Sequence, residues 1–327
     1  MTKRIVAVRR LHEKHLTQLR QGFHVDYFDE LDADNHAAYR QALSQAHGLI
    51  GGKLVVTPAM LDAAPHLEVI STISVGYDNI PLEALTQRNI LLCHTPDVLT
   101  ETTADTGFAL IMATARRVVE LAELVRQGRW TRHIDEAHFG CDVHGKTLGM
   151  IGMGRIGAAV ARRGALGFGM RVCYSNASPK PDLEAQLDAR RCGLGELLAQ
   201  ADFVCVTLPY NAATHHLIDA EVFRRMQSSA IFINIARGRV VDEGAMIAAL
   251  QAGQIRAAGL DVFEQEPVSP DSPLLRMDNV VALPHIGSAT HETRAAMVQR
   301  AVDNITLALN GRAPISAVNA HVLATAR

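Results

Sequence analysis

The stretch Thr147-Leu-Gly-Met-Ile-Gly152-Met-Gly154-Arg-Ile-Gly157 decides the fold of this chain. Its first five residues predict a buried strand, and Arg155–Leu166 continues with apolar residues at helical spacing. The pattern G-x-G-x-x-G between a strand and a helix is typical of a dinucleotide-binding turn. Gly152 would permit the tight turn, Gly154 would let the backbone approach a pyrophosphate, and Gly157 would let the helix pack closely on the sheet. The N-terminus of the helix then attracts the phosphates with its partial positive charge.

Around this turn, short apolar runs alternate with helical stretches. Six strands in βαβ order are expected in a complete dinucleotide-binding domain, and we assign that domain to residues 101–287. The predicted strands are Thr147–Ile151, Arg171–Tyr174, Phe203–Leu208, Ala230–Ile235, Ala258–Val262 and Val280–Leu283. The predicted helices are Arg155–Leu166, Gly195–Gln200, Asp219–Met226 and Glu243–Gln251.

The first hundred residues alternate in the same way and predict a smaller, flavodoxin-like α/β substrate domain with a parallel sheet. We expect the helix His291–Leu309 to complete it, which gives a discontinuous domain of residues 1–100 plus 288–327. The predicted strands are Ile5–Val8, Val25–Phe28, Gly48–Ile50, Val69–Ile73 and Ile90–Cys93, and the predicted helices are Leu11–Leu19, Asn35–Ala46, Pro58–Ala64 and Pro81–Gln87.

Between the two domains, Glu101–Gln127 predicts one long helix or two shorter ones. The polar segment 128–145 that follows is a candidate for contacts with a second subunit.

Composition excludes several functional classes. The 32 basic and 34 acidic residues nearly balance, which argues against a nucleic-acid partner. Five cysteines, without a C-x-x-C pair, indicate a reducing, cytoplasmic location rather than a disulfide framework. Neither a signal peptide nor an apolar run of about 18 residues is evident, so we expect no membrane association.

Two motifs resemble other sites but lack the required context. Gly140-Cys-Asp-Val-His-Gly145-Lys-Thr147 has the letters of a phosphate-binding P-loop, yet it precedes a strand instead of opening a helix. The group His133, Asp135, Glu136 and His138 has no helical ligand spacing, and we expect no metal. The adjacent pair His215-His216 would point apart on a helix or strand and is interpreted as surface.

Three charged residues each follow a predicted strand of the second domain: Arg237, Glu266 and His285. Because the carboxyl ends of parallel strands meet at one edge, these side chains should gather beside the dinucleotide. An arginine there can bind a carboxylate bidentately, a histidine can transfer a proton, and a glutamate can orient that histidine. The pattern therefore predicts reduction of a small 2-keto acid or oxidation of the 2-hydroxy acid.

The end of the second strand lacks the acidic residue that usually binds the ribose of NAD. Ser175, Asn176 and Ser178 stand there, with Lys180 nearby, so a 2′-phosphate would be admitted. We expect NADP as the cofactor, with NAD also possible. No arginine follows this strand, which leaves use of both cofactors as the alternative.

At these residues the sequence resembles the D-isomer-specific 2-hydroxyacid dehydrogenases, in particular bacterial glyoxylate/hydroxypyruvate and 2-ketogluconate reductases. The matching stretches occur in the family's order and span most of the chain: Ser74–Asn79, Gly152–Gly157, Asn234–Gly238, Gly259–Pro267 and Pro284–Ser288. Related NADP enzymes often carry arginine where this chain has Ala177 and Ser178.

The resemblance implies roles for individual residues. Arg237 would bind the substrate carboxylate and polarise the keto oxygen, His285 would be the acid in reduction and the base in oxidation, and Glu266 would hold the imidazole. Val75 and Gly76 would complete the carboxylate site through their N–H groups, with Leu54 beside them. The cofactor would contact Gly152, Gly154, Arg155, Ile156, Gly157, Ser175, Asn176, Leu208, Pro209, Thr214, Ile235, Ala236, Asp261, His285 and Gly287. A closing cleft and a homodimer are also implied.

The substrate remains open among glyoxylate, hydroxypyruvate, 2-ketogluconate and a phosphorylated 2-keto sugar acid. A non-catalytic dinucleotide-sensing protein related to corepressors is a second hypothesis, and a P-loop phosphotransferase is a third.

Overall fold

The computed structural model describes residues 2–9 and 11–322, and their contacts divide the chain into two compact units. Unit 1 comprises the described residues of 1–99 and 290–327, and unit 2 comprises residues 100–289. Both units are parallel α/β structures, which confirms the predicted fold class.

In the described part of unit 1, five parallel strands lie in the order β2-β1-β3-β4-β5. The residues of β3, β4 and β5 are all buried, as expected for a sheet covered on both faces, whereas the edge strand β2 is only partly buried. The strands are β1 Arg4–Val8, β2 His24–Phe28, β3 Gly48–Gly51, β4 Val69–Thr72 and β5 Leu91–Cys93. The helices are α1 Glu13–Arg20, α2 His36–Ser44, α3 Pro58–Asp62, α4 Leu82–Gln87 and the C-terminal α12 His291–Leu309.

The C-terminal helix α12 packs tightly on the sheet of unit 1. A Cβ on Gly48 would lie 2.9 Å from the Ile305 side chain, so the glycine permits a close approach. The Ser71 hydroxyl donates to the Ala301 carbonyl over 2.9 Å. These contacts place a helix from the end of the sequence in the core of the first unit.

In the described part of unit 2, seven parallel strands lie in the order β12-β11-β10-β9-β6-β7-β8. The strand order reverses between β6 and β9, the switch point at which such sheets bind ligands. The strands are β6 Thr147–Ile151, β7 Arg171–Ser175, β8 Arg190–Arg191, β9 Phe203–Val206, β10 Ile231–Asn234, β11 Ala257–Leu260 and β12 Val280–Ala282. The helices are α5 Thr100–Ala115, α6 Val118–Arg126, α7 Arg155–Arg162, α8 Pro181–Leu187, α9 Leu194–Gln200, α10 Ala220–Arg225 and α11 Glu243–Gln251.

Two elements of unit 2 were absent from the sequence prediction, one helix differs from it, and the segment 101–127 follows the second of its two predicted alternatives. The prediction of six strands misses the two-residue β8, and it also misses α8. The helix predicted to end at Leu166 is α-helical only to Arg162 and continues as a π-helical turn over Arg163–Gly167. The segment 101–127 forms two helices because Arg117 between them adopts a left-handed backbone with φ of 54°.

The expectation that His215 and His216 point apart applied to a helix or strand, and these residues lie in neither. Both lie in a turn, where the period of a helix or strand does not apply, and their rings stack with centroids 4.0 Å apart. His216 Nε2 lies 2.8 Å from Glu264 Oε1.

The rejected motifs also have structural explanations. Thr147 begins β6, so the P-loop letters end in a strand. Asp135 accepts from the Ala137 N–H and contacts His138 Nδ1, and it thereby caps a one-turn 3₁₀ helix. Among residues 2–9 and 11–322, no helix has the length and apolar character needed to span a membrane.

Candidate active site

Arg237, Glu266 and His285 follow three strands that are neighbours in the sheet of unit 2, namely β10, β11 and β12. Since the strands are parallel, all three residues lie at their carboxyl edge. That edge also carries the glycine-rich turn after β6.

The Glu266 carboxylate and the His285 imidazole are in direct contact. Glu266 Oε2 lies 2.7 Å from His285 Nδ1, and Glu266 Oε1 accepts from the Phe263 N–H over 3.1 Å. Burial by itself would raise the pKa of Glu266, but the hydrogen bond with His285 and the positive charges of His285 and Arg237 outweigh it and lower the pKa. Glu266 is therefore held as an acceptor, which fixes Nδ1 as the donor nitrogen of His285.

A buried aspartate fixes the loop that carries His285. Asp261 is only 2% exposed. Its Oδ1 accepts from the Ile286 N–H over 2.7 Å, and its Oδ2 accepts from the Gly287 N–H over 2.9 Å. Burial raises the pKa of Asp261, and these two hydrogen bonds oppose that rise. The side chain thus braces the loop, while its predicted contact with a cofactor stays a prediction.

The loop that carries Arg237 is held by a polar residue without a role in the sequence analysis. Asn234 is buried, accepts from the Ala236 N–H over 3.0 Å and donates to the Arg237 carbonyl over 3.2 Å. In the sequence, the feature that could have indicated this role is a polar residue, Asn234, at the end of the apolar run that begins at Ile231. Arg237 itself is half-buried, and its Nη1 donates to the Ala236 carbonyl.

Close backbone packing joins the Arg237 loop to the Glu266 loop. A Cβ on Gly238 would lie 1.8 Å from the Phe263 carbonyl carbon and oxygen, a distance that no side chain tolerates. The glycine after Arg237 therefore sets the spacing between the two loops.

The glycine-rich turn has the geometry expected of a nucleotide-binding site. Gly152 has a φ of 93°, which favours glycine. A Cβ on Gly157 would lie 2.5 Å from the Gly152 carbonyl and 2.7 Å from the Thr207 hydroxyl, so only glycine lets α7 start this close to the turn. Within the described chain a Cβ on Gly154 would meet no atom within 4 Å, so this residue borders open space.

Other residues predicted to contact the cofactor surround this turn. Asn176, after β7, accepts from the Met153 N–H over 3.2 Å. The Gly152 N–H donates to the Ser175 carbonyl over 2.9 Å. Thr214 donates to the Pro209 carbonyl and so shapes the loop after β9. Arg155 and Ile156 open α7, Leu208 lies beside Gly152, and Ile235 and Ala236 are buried directly after β10.

The predicted substrate residues of the other domain lie in unit 1. Val75 and Gly76 are in the loop after β4, where the Val75 carbonyl lies 3.1 Å from His94 Nδ1. Leu54 is 8% exposed and packs in the hydrophobic core of that unit. Binding of the substrate by these three residues stays a prediction.

Comparison with known proteins identifies the family. The sequence model for the NAD-binding domain of D-isomer-specific 2-hydroxyacid dehydrogenases matches residues 108–287. Glyoxylate/hydroxypyruvate reductase B of Klebsiella pneumoniae (strain 342) is 52% identical over 322 residues, which cover 98% of this chain and 100% of that protein. The reductase of the same name from Yersinia pestis (strain Pestoides F) is 56% identical over 308 residues, 94% of each chain.

A solved structure of a glyoxylate/hydroxypyruvate reductase also has the same fold as this chain. The NADPH-dependent glyoxylate/hydroxypyruvate reductase of Sinorhizobium meliloti, crystallised with NADP and malonate, superposes with a TM-score of 0.86 at 32% identity and covers 98% of both chains.

Replacing His285 with alanine should raise the pKa of Glu266 relative to the unaltered protein. The substitution removes the strongest influence that lowers this pKa and leaves burial as the main one. A ¹³C NMR titration of the glutamate carboxyl carbons measures the change. The control His216→Ala, which removes the neighbouring contact with Glu264, should leave the pKa of Glu266 unchanged. An unchanged pKa of Glu266 in His285→Ala would contradict the contact between Glu266 and His285.

Proposed function

The chain belongs to the D-isomer-specific 2-hydroxyacid dehydrogenase family, and we propose that it reduces glyoxylate and hydroxypyruvate at C2, giving the D configuration where C2 is a stereocentre. The chain is an NAD(P)-dependent oxidoreductase of 2-keto and 2-hydroxy acids. The contact between Glu266 and His285 beside a dinucleotide turn carries the proposal, and the names of the relatives support these two substrates.

The residues present fit a nicotinamide dinucleotide. Gly157 lets the N-terminus of α7 approach the turn, and the open space at Gly154 leaves room for a pyrophosphate. The dinucleotide supplies the hydride that reduces C2. We propose NADPH as a cofactor used at least as well as NADH, because no carboxylate lies between Tyr174 and Pro181 to repel a 2′-phosphate.

His285 is proposed as the proton donor. Its Nδ1 donates to Glu266, and among the described residues its Nε2 has no hydrogen-bond partner. A protonated imidazole held in this way presents the Nε2–H to the keto oxygen as negative charge develops on it. In the reverse direction the neutral imidazole takes the proton from the alcohol, and Glu266 stabilises the imidazolium that forms.

Arg237 is proposed to bind the substrate carboxylate. Its guanidinium can form two parallel hydrogen bonds with a carboxylate, which orients the molecule as well as attracting it. Asn234 and Gly238 fix the backbone on both sides of Arg237, so its side chain starts from a rigid base.

A substrate panel tests the function. The panel contains glyoxylate, hydroxypyruvate, 2-ketogluconate and a phosphorylated 2-keto sugar acid, each measured with NADPH and with NADH. We expect the first two acids to give the highest kcat/KM. Tight NADPH binding without turnover would support a non-catalytic, dinucleotide-sensing protein instead. A tenfold preference for NADH, about 1.4 kcal/mol, would contradict the cofactor proposal and leave the substrate proposal standing.

Arg237→Ala should reduce kcat/KM for the keto acid by roughly 100-fold or more, since two charge-assisted hydrogen bonds of about 1.5–3 kcal/mol each are lost. The Kd of NADPH should change little, because the predicted cofactor contacts do not include the side chain of Arg237. Arg239→Ala is the matched control: this exposed arginine stacks on Tyr210 with its guanidinium 4.6 Å from the ring centre. Near-normal kcat/KM in Arg237→Ala would remove Arg237 from the mechanism.

We also propose that the protein is a homodimer that pairs through one apolar surface of unit 2. Helix α6 has no buried residue. The exposed apolar residues of this surface, each more than half exposed, are Val118, Val119, Val125, Trp130, Ile134 and Phe139. A concentration of exposed apolar residues in one segment of the chain, here 118–139, is typical of protein contacts.

Trp130→Glu should convert dimers to monomers in sedimentation velocity experiments, because a carboxylate would be buried without a partner at the interface. Leu166→Glu, at an apolar residue outside this surface that is even more exposed than Trp130, should remain dimeric. A monomeric unaltered protein, or a dimeric Trp130→Glu, would overturn the assignment of the surface.

A further inference from the structure

The strand that the sequence analysis missed, β8, brings two arginines to the edge of the unit 2 sheet. In its parallel pairing with β7, Arg190 lies opposite Cys173 and Arg191 lies opposite Tyr174. Successive residues of a strand point to opposite faces. Arg190 accordingly reaches Glu196 and Gln200, whereas Arg191 reaches the loop that follows β7.

This loop is where the adenine-side ribose is expected in the fold. Its first residue, Asn176, is tied to the glycine-rich turn through the Met153 N–H. Its side-chain amide also donates to the Ser178 carbonyl over 2.8 Å. The hydrogen bond from the Met153 N–H therefore holds the loop beside the glycine-rich turn, the expected place of the dinucleotide.

Arg191 places its guanidinium against this loop. Nε and Nη2 donate to the Asn176 carbonyl over 3.3 and 3.1 Å, and Nη2 also donates to the Ala177 carbonyl over 3.0 Å. Neutral carbonyls anchor the group without cancelling its charge. Among the described residues, no carboxylate forms an ion pair with Arg191, and Nη1 has no hydrogen-bond partner.

The nearby acidic residues do not offset this charge directly. Asp182 and Glu184 lie in the first turn of α8, and Glu184 accepts a hydrogen bond from the Tyr174 hydroxyl. The backbone N–H of Lys180 donates to that same hydroxyl over 2.7 Å. Tyr174 thus stands between Glu184 and the loop.

We propose that Arg191 is the residue that binds the 2′-phosphate of NADPH, a role that rests on the proposed use of this cofactor. The cation comes from the strand beside β7 instead of from the loop after it, where Ala177 and Ser178 offer no charge. The two N–H groups of Nη1 would donate to the phosphate, while the hydrogen bonds to the Asn176 and Ala177 carbonyls hold the guanidinium plane. Ser178 supplies a neutral hydroxyl at the same loop.

Arg191→Ala should lower kcat/KM for NADPH by about 10- to 100-fold, the range for lost hydrogen bonds between charged groups, and should change the value for NADH less than about threefold. Arg191→Gln, which keeps an amide donor for the loop carbonyls but removes the charge, should behave similarly. Arg190→Ala, on the same strand, should leave both cofactors unaffected. An equal loss for NADPH and NADH in Arg191→Ala and Arg191→Gln would assign Arg191 a purely structural role and overturn the proposal.

Binding of nucleotide fragments gives a readout independent of turnover. In calorimetric titrations, the unaltered protein should bind adenosine 2′,5′-bisphosphate more tightly than adenosine 5′-monophosphate, and Arg191→Ala should lose this difference. If the unaltered protein prefers NADPH but Arg191→Ala keeps the preference, only the role of Arg191 fails. If the unaltered protein prefers NADH tenfold, the proposed cofactor use fails as well.

Discussion

The buried Asp261 carboxylate is the contact on which the geometry of the active site depends. It lies at the end of β11, accepts two backbone N–H groups from the segment after β12, and so fixes where His285 leaves the sheet. Such a group is tolerable in the interior only because both of its oxygens are satisfied. Gly287 completes the arrangement, since a Cβ there would lie 3.1 Å from Asp261 Oδ2. Glu266, further along the same connection as Asp261, then meets a histidine whose position is already set.

Glycines supply the other constraint, because they set the distances between neighbouring loops. Gly238 permits the chain after β10 to touch the chain after β11, and Gly157 permits α7 to touch the turn after β6. In both places the obstacle to a side chain is the backbone or, beside Gly157, the Thr207 hydroxyl, which is held by its hydrogen bond to the Gly152 carbonyl. A parallel sheet brings the ends of its strands to one edge, but these contacts convert that common edge into specific distances between side chains.

The apolar runs were sufficient to predict most strands, since a buried parallel strand is apolar on both faces. They failed at β8, whose two arginines have no strand-like pattern and are held by pairing with β7. The break between α5 and α6 was likewise not predicted by a glycine or proline, since Arg117 stands there. Its left-handed backbone occurs where the Ala115 carbonyl accepts a hydrogen bond from the Cys141 N–H and the Arg117 side chain donates to Glu120. Glu266 and His285 each follow a predicted strand, and this was enough to predict that both lie at the carboxyl edge of the sheet. The bracing by Asp261 and Asn234 depends on loop conformation, which no spacing in the sequence encodes.

The backbone of His285 itself has a φ of 56°, a left-handed conformation that disfavours most side chains by about 1–2 kcal/mol and suits glycine or asparagine better. Under the proposed role of His285, stability and turnover therefore select for different residues at this position. A lineage released from the need for turnover would gain stability by exchanging this histidine for glycine or asparagine, without rebuilding the loop around it. His285, the proposed proton donor, is thus the part of the site that drift would remove first, while the glycines of the glycine-rich turn, required by packing, would persist. Descendants of such a protein would continue to bind a dinucleotide after they had ceased to be enzymes.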